Sequence, residues 1–338
     1  MNIYVIPVIG LFGSIFNFLC FLIFLNKEFK ELVYKYLKVE SLLLTIHLFL
    51  QIFRPIHFVR TNITLSCSLF AQIYQFFLLN YLASIIEMTT FILHILSTLD
   101  FYFLISNMNK NFPRISNINY KIVALVVFVF SALAFLFQPF QGGIYIQHVI
   151  FTDSGTRELY QDWIYLMAET YFFRTTFKKI YELFWFSFRD GVLLFIIIIL
   201  NILIYIQVIK SLNNKKKMLK KSGNVPVLKD EMNSNENESV NKNETKKNQS
   251  KNKNKEDRAV KKLTIMVVLG CINTIVNRTP VLILFIMRNI IGWTGPVPTF
   301  NAVAGLIVYA TYSLYFFLYF YSNKRFRKVF YEGWHKLF

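Results

Sequence analysis

The stretch Tyr315–Phe330, YFFLYFYSNKRFRKVF, passes from seven consecutive aromatic or aliphatic residues, through Ser322 and Asn323, to four cations within Lys324–Lys328. A hydrophobic run that stops this sharply at positive charge has the pattern of a membrane-spanning helix leaving the bilayer on its cytoplasmic side. The residues beyond the stop keep a helical period. Phe326, Val329, Phe330, Trp334 and Leu337 share one face, and Lys324, Arg325, Arg327 and Lys328 share the other. That pattern predicts an amphipathic helix over 323–337 lying on the membrane surface.

The whole chain fits this reading. Its 338 residues are 55% hydrophobic and only 17% charged, with 37 Phe and 19 Tyr, whereas soluble domains carry about 25% charged residues. The apolar residues lie in long blocks, not at the spacing of one helix face. The net charge of +18 is concentrated in short stretches between those blocks, which excludes nucleic acid as the partner and leaves the lipid bilayer. Three cysteines, Cys20, Cys67 and Cys271, are too few for a disulfide scaffold. The hydrophobic N-terminus lacks a basic leader and a small-residue cleavage site, so it reads as a retained first span.

A helix crossing the hydrocarbon core needs about 20 mostly apolar residues. Seven blocks qualify: 3–25, 34–53, 70–105, 122–140, 192–209, 263–287 and 298–321. The expected fold is an all-α membrane protein, one seven-transmembrane helix bundle over 1–338 with the amphipathic C-terminal helix appended. Of the 37 Lys and Arg residues, 28 fall on one side of this arrangement, in the connections after the first, third and fifth spans and in the tail. The N-terminus is then extracellular and the C-terminus cytoplasmic. On the outer side Asn62 begins an N-x-T acceptor for glycosylation. The segment 211–257, built from Lys, Asn, Glu and Ser, reads as a disordered basic cytoplasmic loop. The outer loop 141–182 is rich in aromatics and fits either a lid or an interfacial belt.

Several motifs resemble those of rhodopsin-like G-protein-coupled receptors. Asp100-Phe101-Tyr102 stands at the inner end of the third span, where that family usually has D-R-Y. Tyr315-Phe316-Phe317-Leu318-Tyr319 stands where it has N-P-x-x-Y, and Asn323-Lys324-Arg325-Phe326-Arg327 is similar to the start of its membrane-surface helix. Gly13-Ser14-Ile15-Phe16-Asn17 resembles its G-N pattern, and Pro280 fits its sixth-span kink. Departures accompany these matches. Phe101 replaces the arginine, no Trp precedes Pro280, and the second outer loop offers Cys67 no cysteine partner. The resemblance implies a divergent branch of invertebrate chemosensory or peptide-receptor type, coupled to a heterotrimeric G protein at the plasma membrane. It also assigns coupling and activation to Asp100, Phe101, Tyr102, Tyr315, Tyr319, Arg325, Phe326 and Arg327.

Ionisable residues inside spans cost roughly 2.5–3.5 kcal/mol at the centre and usually face the bundle interior. Glu87 lies 13 residues before Asp100, so ~20 Å above the inner end. Arg278, Asn273 and Asn277 of the sixth span approach a similar level. These four residues are the expected ligand-binding set, bordering a polar cavity. Glu87 either receives a ligand cation or pairs with Arg278 or a histidine to order the helices. His47, Gln51 and His94 belong to the same interior.

No lysine occurs from Pro298 to Tyr321, so a retinal Schiff base is not expected. Zincin, Walker and nucleophile-elbow motifs are lacking, which argues against an enzyme and against a metal or other cofactor. The short outer N-terminus leaves no room for a folded ligand-capture domain, so the expected ligand is a small molecule or short peptide within the bundle. The alternative is a ligand-gated channel or transporter of the plasma membrane, although neither an internal repeat nor paired broken helices stand out.

Overall fold

The computed structural model describes residues 2–54, 68–106, 119–138, 142–152, 159–169, 176–222, 236–292 and 294–337. Helices α1 (Asn2–Phe24), α2 (Leu32–Ile52), α3 (Leu69–Ile105) and α4 (Tyr120–Ala134) lead to a hairpin of β1 (Gly142–Thr152) and β2 (Leu159–Glu169). Helix α5 follows over 176–222, then α6 (Glu236–Ile291), α7 (Val297–Ser322) and α8 (Lys324–Leu337). Two helices widen locally into π-helix, α3 over Tyr74–Leu82 and α5 over Ser187–Val192.

The packing forms a ring in which α1 lies against α2 and α7, α2 against α3, α3 against α5, and α6 against both α5 and α7. Helix α4 sits outside, on α3 and α2. Large apolar side chains also point away from the ring, including Phe195, Ile202 and Ile206 of α5 and Leu125 and Leu133 of α4. Water would penalise so much outward apolar surface, whereas lipid would not. Among the described residues, five helices are long and apolar enough to cross a membrane by length and composition: α1, α3, α5, α6 and α7. Helix α2 carries Lys35, Lys38 and Glu40 in its first half, and α4 has 15 residues.

Close approach of α1 to its neighbours depends on glycine. A Cβ at Gly10 would stand 2.9 Å from the Leu48 carbonyl oxygen of α2, and one at Gly13 would stand 2.2 Å from Ser313 Oγ of α7. One turn on, Asn17 Nδ2 donates to the Tyr312 carbonyl at 3.0 Å. Gly10→Val is expected to cost about 1–3 kcal/mol, because the obstacle is backbone that cannot rotate away. Thermal unfolding in detergent measures it, and an unchanged Tm would contradict the contact.

The abrupt end of α7 has a structural cause. Asn323 leaves the helix with an extended backbone, and its Oδ1 accepts from the backbone N–H of Arg325 at 3.0 Å and of Phe326 at 3.3 Å. Its Nδ2 donates to Tyr34 Oη at 3.0 Å. One side chain thus caps α8 and ties it to α2. Arg325 and Lys328 reach Glu31 and Glu28, in the α1–α2 connection, at 2.9 and 2.8 Å. The Glu28 hydrogen bond raises the pKa of Lys328 above the usual lysine value. Asn323→Ala is expected to cost about 0.5–2 kcal/mol, read as a lower Tm.

The framework is helical, as expected, and between α4 and α5 it carries one described hairpin in which β1 and β2 pair antiparallel from Gly142↔Glu169 to Thr152↔Leu159. Chain joined by a connection of only a few residues, starting at Gly142-Gly143 and rich in Ile, Tyr and Trp, favours a hairpin over helix. Within 211–257 the described residues are helical: α5 continues to Ser222, and α6 begins at Glu236. Extending an existing helix avoids the cost of nucleation, and Lys and Glu are good helix formers. Residues 223–235, Asn62, Cys67 and Pro139 lie outside the described residues. Helix α4 ends at Ala134.

Candidate functional site

Four helices meet at a buried ionic cluster. From α3 comes Glu87, from α6 Arg278, and from the π-helical part of α5 the sequence neighbours Arg189 and Asp190. Such widened turns recur at functional positions because they re-aim side chains. Here Arg189 and Asp190 are both buried. Arg189 folds back on its neighbour, with Nη2 2.7 Å and Nε 3.0 Å from Asp190 Oδ2.

Arg278 Nη1 lies 2.8 Å from Glu87 Oε1 and 3.5 Å from Asp190 Oδ1. Its Nη2 donates to Tyr312 Oη at 3.0 Å, and its guanidinium stands 4.8 Å above the Phe91 ring. Arg189 Nη1 reaches Glu87 Oε2 at 3.4 Å. Tyr312 in turn donates to Glu87 Oε1 at 3.2 Å. Two guanidiniums face two carboxylates, so the cluster is neutral overall. Pairing of this kind is what makes buried charge tolerable.

A cavity of about 570 Å³ lies above the cluster, with Glu87 and Arg189 in its wall. Ile6, Arg54, Arg288 and Asn301 also line it. These residues belong to the beginning of α1, the residues just after α2, the end of α6 and the beginning of α7, so the cavity lies toward the N-terminal face. Its apolar wall includes Phe186, Val281, Leu284, Phe285 and Val308. A cavity of about 170 Å³ adjoins it, lined by His47, Gln51, Gln75 and Asn80 and sharing Glu87 and Arg54.

The structure brings Glu87 and Arg278 together and separates the two asparagines from the large cavity. Asn273 Nδ2 donates to the Thr311 carbonyl at 3.0 Å, and Asn277 Nδ2 to Thr311 Oγ1 at 2.6 Å, so both brace α6 on α7. Arg278 is only 2% exposed and lies below the cavity floor. Of the two readings open for Glu87, the pairing one describes the geometry, since three donors already engage its carboxylate. His47 packs edge-on to Tyr312, with ring centroids 5.4 Å apart, and Gln51 Oε1 accepts from Tyr309 Oη at 3.1 Å. His94 belongs elsewhere, to a second buried pair with Glu40 at 3.2 Å.

On the opposite face, Phe101 is fully buried and Asp100 lies against the Val33 backbone N–H in the first turn of α2. Tyr315 and Tyr319 are buried, the former sharing a 3.0 Å hydrogen bond with Thr274 Oγ1. Phe326 is buried too, while Tyr102 and Arg327 are half-buried and Arg325 is exposed. Arg189, Asp190, Arg54 and Glu40 were missed by sequence reasoning. The signal for the first two was an adjacent Arg-Asp pair at the edge of an apolar block.

A ring of helices around a buried polar centre, with a short terminal helix folded against the connection between α1 and α2, is the rhodopsin-like fold. The crystal structure of squid rhodopsin is similar to this chain with a TM-score of 0.61, over 98% of this chain and 84% of that one, at 13% sequence identity. The likeness establishes a rhodopsin-like fold, which agrees with the helices long and apolar enough to cross a membrane. No protein family and no curated protein matches the sequence.

Proposed function

We propose that the chain is a G-protein-coupled receptor of a divergent, invertebrate chemosensory or peptide-receptor type. In this reading it sits in the plasma membrane with its N-terminus extracellular and its C-terminus cytoplasmic. It transduces binding of an extracellular small molecule or short peptide to a heterotrimeric G protein. The supporting observation is the cavity whose wall contains Glu87 and Arg189, two members of the cluster joining α3, α5, α6 and α7. A ligand touching either residue changes the balance of contacts among four helices at once, which is the differential interaction a population shift requires.

The transducer would meet the opposite face, where Asp100, Tyr102, Arg325 and Arg327 remain accessible. Phe101, Tyr315, Tyr319 and Phe326 would act from within as packing. Asn273, Asn277 and Arg278 would support the binding site from below and Glu87 would line it. The test is binding of purified, nucleotide-free G proteins to the membrane-embedded chain, comparing wild type with a Tyr102→Ala, Arg327→Ala double variant. Nucleotide-sensitive binding that falls about tenfold or more in the variant is expected. Ligand-dependent current without binding to any G-protein class would instead identify a channel or transporter.

A further inference from the structure

We infer that the large cavity selects an anionic, amphipathic small ligand: an organic acid whose carboxylate binds Arg54 beside Arg189 and whose apolar body lies on Phe186, Val281 and Phe285. The inference rests on the receptor reading of this cavity and adds the chemical class of its occupant.

Arg54 and Glu87 line the cavity together, and a third charged side chain of this wall, Arg189, is already balanced within the neutral cluster by Asp190. The Glu87 carboxylate has no spare charge to offer. It is held by Arg278 at 2.8 Å, Arg189 at 3.4 Å and Tyr312 at 3.2 Å. A cationic ligand would have to displace one of these donors while facing Arg54. Such like-charge placement costs several kcal/mol.

An anion meets the opposite situation. Arg54 is half-buried, and among the described residues its side chain bonds only neutral groups, Tyr309 Oη at 2.5 Å and Gln51 Oε1 at 3.4 Å. Both bonds use Nη1. Nε and Nη2 therefore keep donors for a carboxylate, in the fork geometry that favours bidentate pairing. Ser84 and Asn301 supply neutral polar groups in the same wall, and the remaining lining is mostly apolar. A volume of about 570 Å³ lies within the usual range for small-molecule sites.

A free organic acid and a short peptide with an apolar end and a free C-terminus share this chemistry, so the test has an arm for each. The full chain in phosphatidylcholine nanodiscs is titrated with 4-phenylbutyrate, 4-phenylbutanol and 4-phenylbutylamine. A second arm uses acetyl-Leu-Phe with a free or an amidated C-terminus. In at least one arm the acid is expected to bind at least about tenfold more tightly than its neutral or cationic counterparts. Arg54→Gln should lose about tenfold of that affinity at unchanged Tm, and Arg54→Lys should retain part of it.

Equal or tighter binding of the amine would overturn the inference. So would no acid binding in either arm up to about 10 mM, or acid binding indifferent to Arg54→Gln. Because binding is read on the chain alone, acid selectivity without G-protein engagement would remove the receptor reading and leave the site. Engagement without acid selectivity would do the reverse.

Discussion

Exchanging Glu87 for glutamine is expected to lower stability by about 3–5 kcal/mol, the usual cost of leaving a buried ionic partner uncompensated. Glutamine fills the same space and still meets Tyr312, so the loss is electrostatic. Arg278 and Arg189 would be left to share the single carboxylate of Asp190, itself fully buried. Arg278→Met alone should also destabilise, by leaving two carboxylates for Arg189. Combining the two changes restores a neutral Arg189–Asp190 pair, so the double variant should regain much of the loss. Thermal and denaturant unfolding in detergent measure all three. Costs that simply add would show that the groups do not act as one network.

The second large effect is expected at Phe326→Ala, about 3–5 kcal/mol for removing a fully enclosed aromatic ring. Phe326 is 0% exposed. Its ring centroid lies 5.5 Å from that of Phe24 in α1, and 5.8 and 6.0 Å from those of Phe316 and Tyr319 in α7. The substitution opens a hole where three helices converge. Hydrogen exchange should show lost protection across Lys324–Leu337 first, with a lower Tm for the bundle. Phe326→Leu should cost clearly less, since it keeps most of the volume. Full protection of α8 in the alanine variant would contradict its anchoring role.

The long helices were legible because the apolar blocks have sharp edges. The block 298–321 differs from α7 by one residue at each end, and 3–25 from α1 likewise. The same criterion failed where charged residues interrupt an apolar helix, even when, like Arg189 and Asp190, they point inward. The block starting at Val192 omitted the first sixteen residues of α5, because Lys178, Lys179, Glu182, Arg189 and Asp190 interrupt its hydropathy. Hydropathy counts a charge but not the direction it faces, and direction here depends on π turns that composition does not encode. Glu87 and Arg278 could be paired from depth alone, being isolated charges in otherwise apolar segments. Asn273 and Asn277 lie at that depth too, but their place on the α6 surface turns them to α7 instead of the cavity.

Helix α6 runs unbroken for 56 residues with Pro280 inside it. Proline removes one backbone hydrogen bond and marks where such a helix bends. Eleven residues separate Pro280 from Ile291 and forty-four separate it from Glu236, giving arms of ~16 Å and ~66 Å at 1.5 Å per residue. If the unbroken helix tilts rigidly by about 5° about the level of the proline, the cavity end moves by roughly 1.4 Å and the other end by roughly 6 Å. The helix is thus a lever with a fourfold mechanical advantage in displacement. An adjustment the size of one side-chain contact becomes, at its far end, a stroke comparable to the width of a residue.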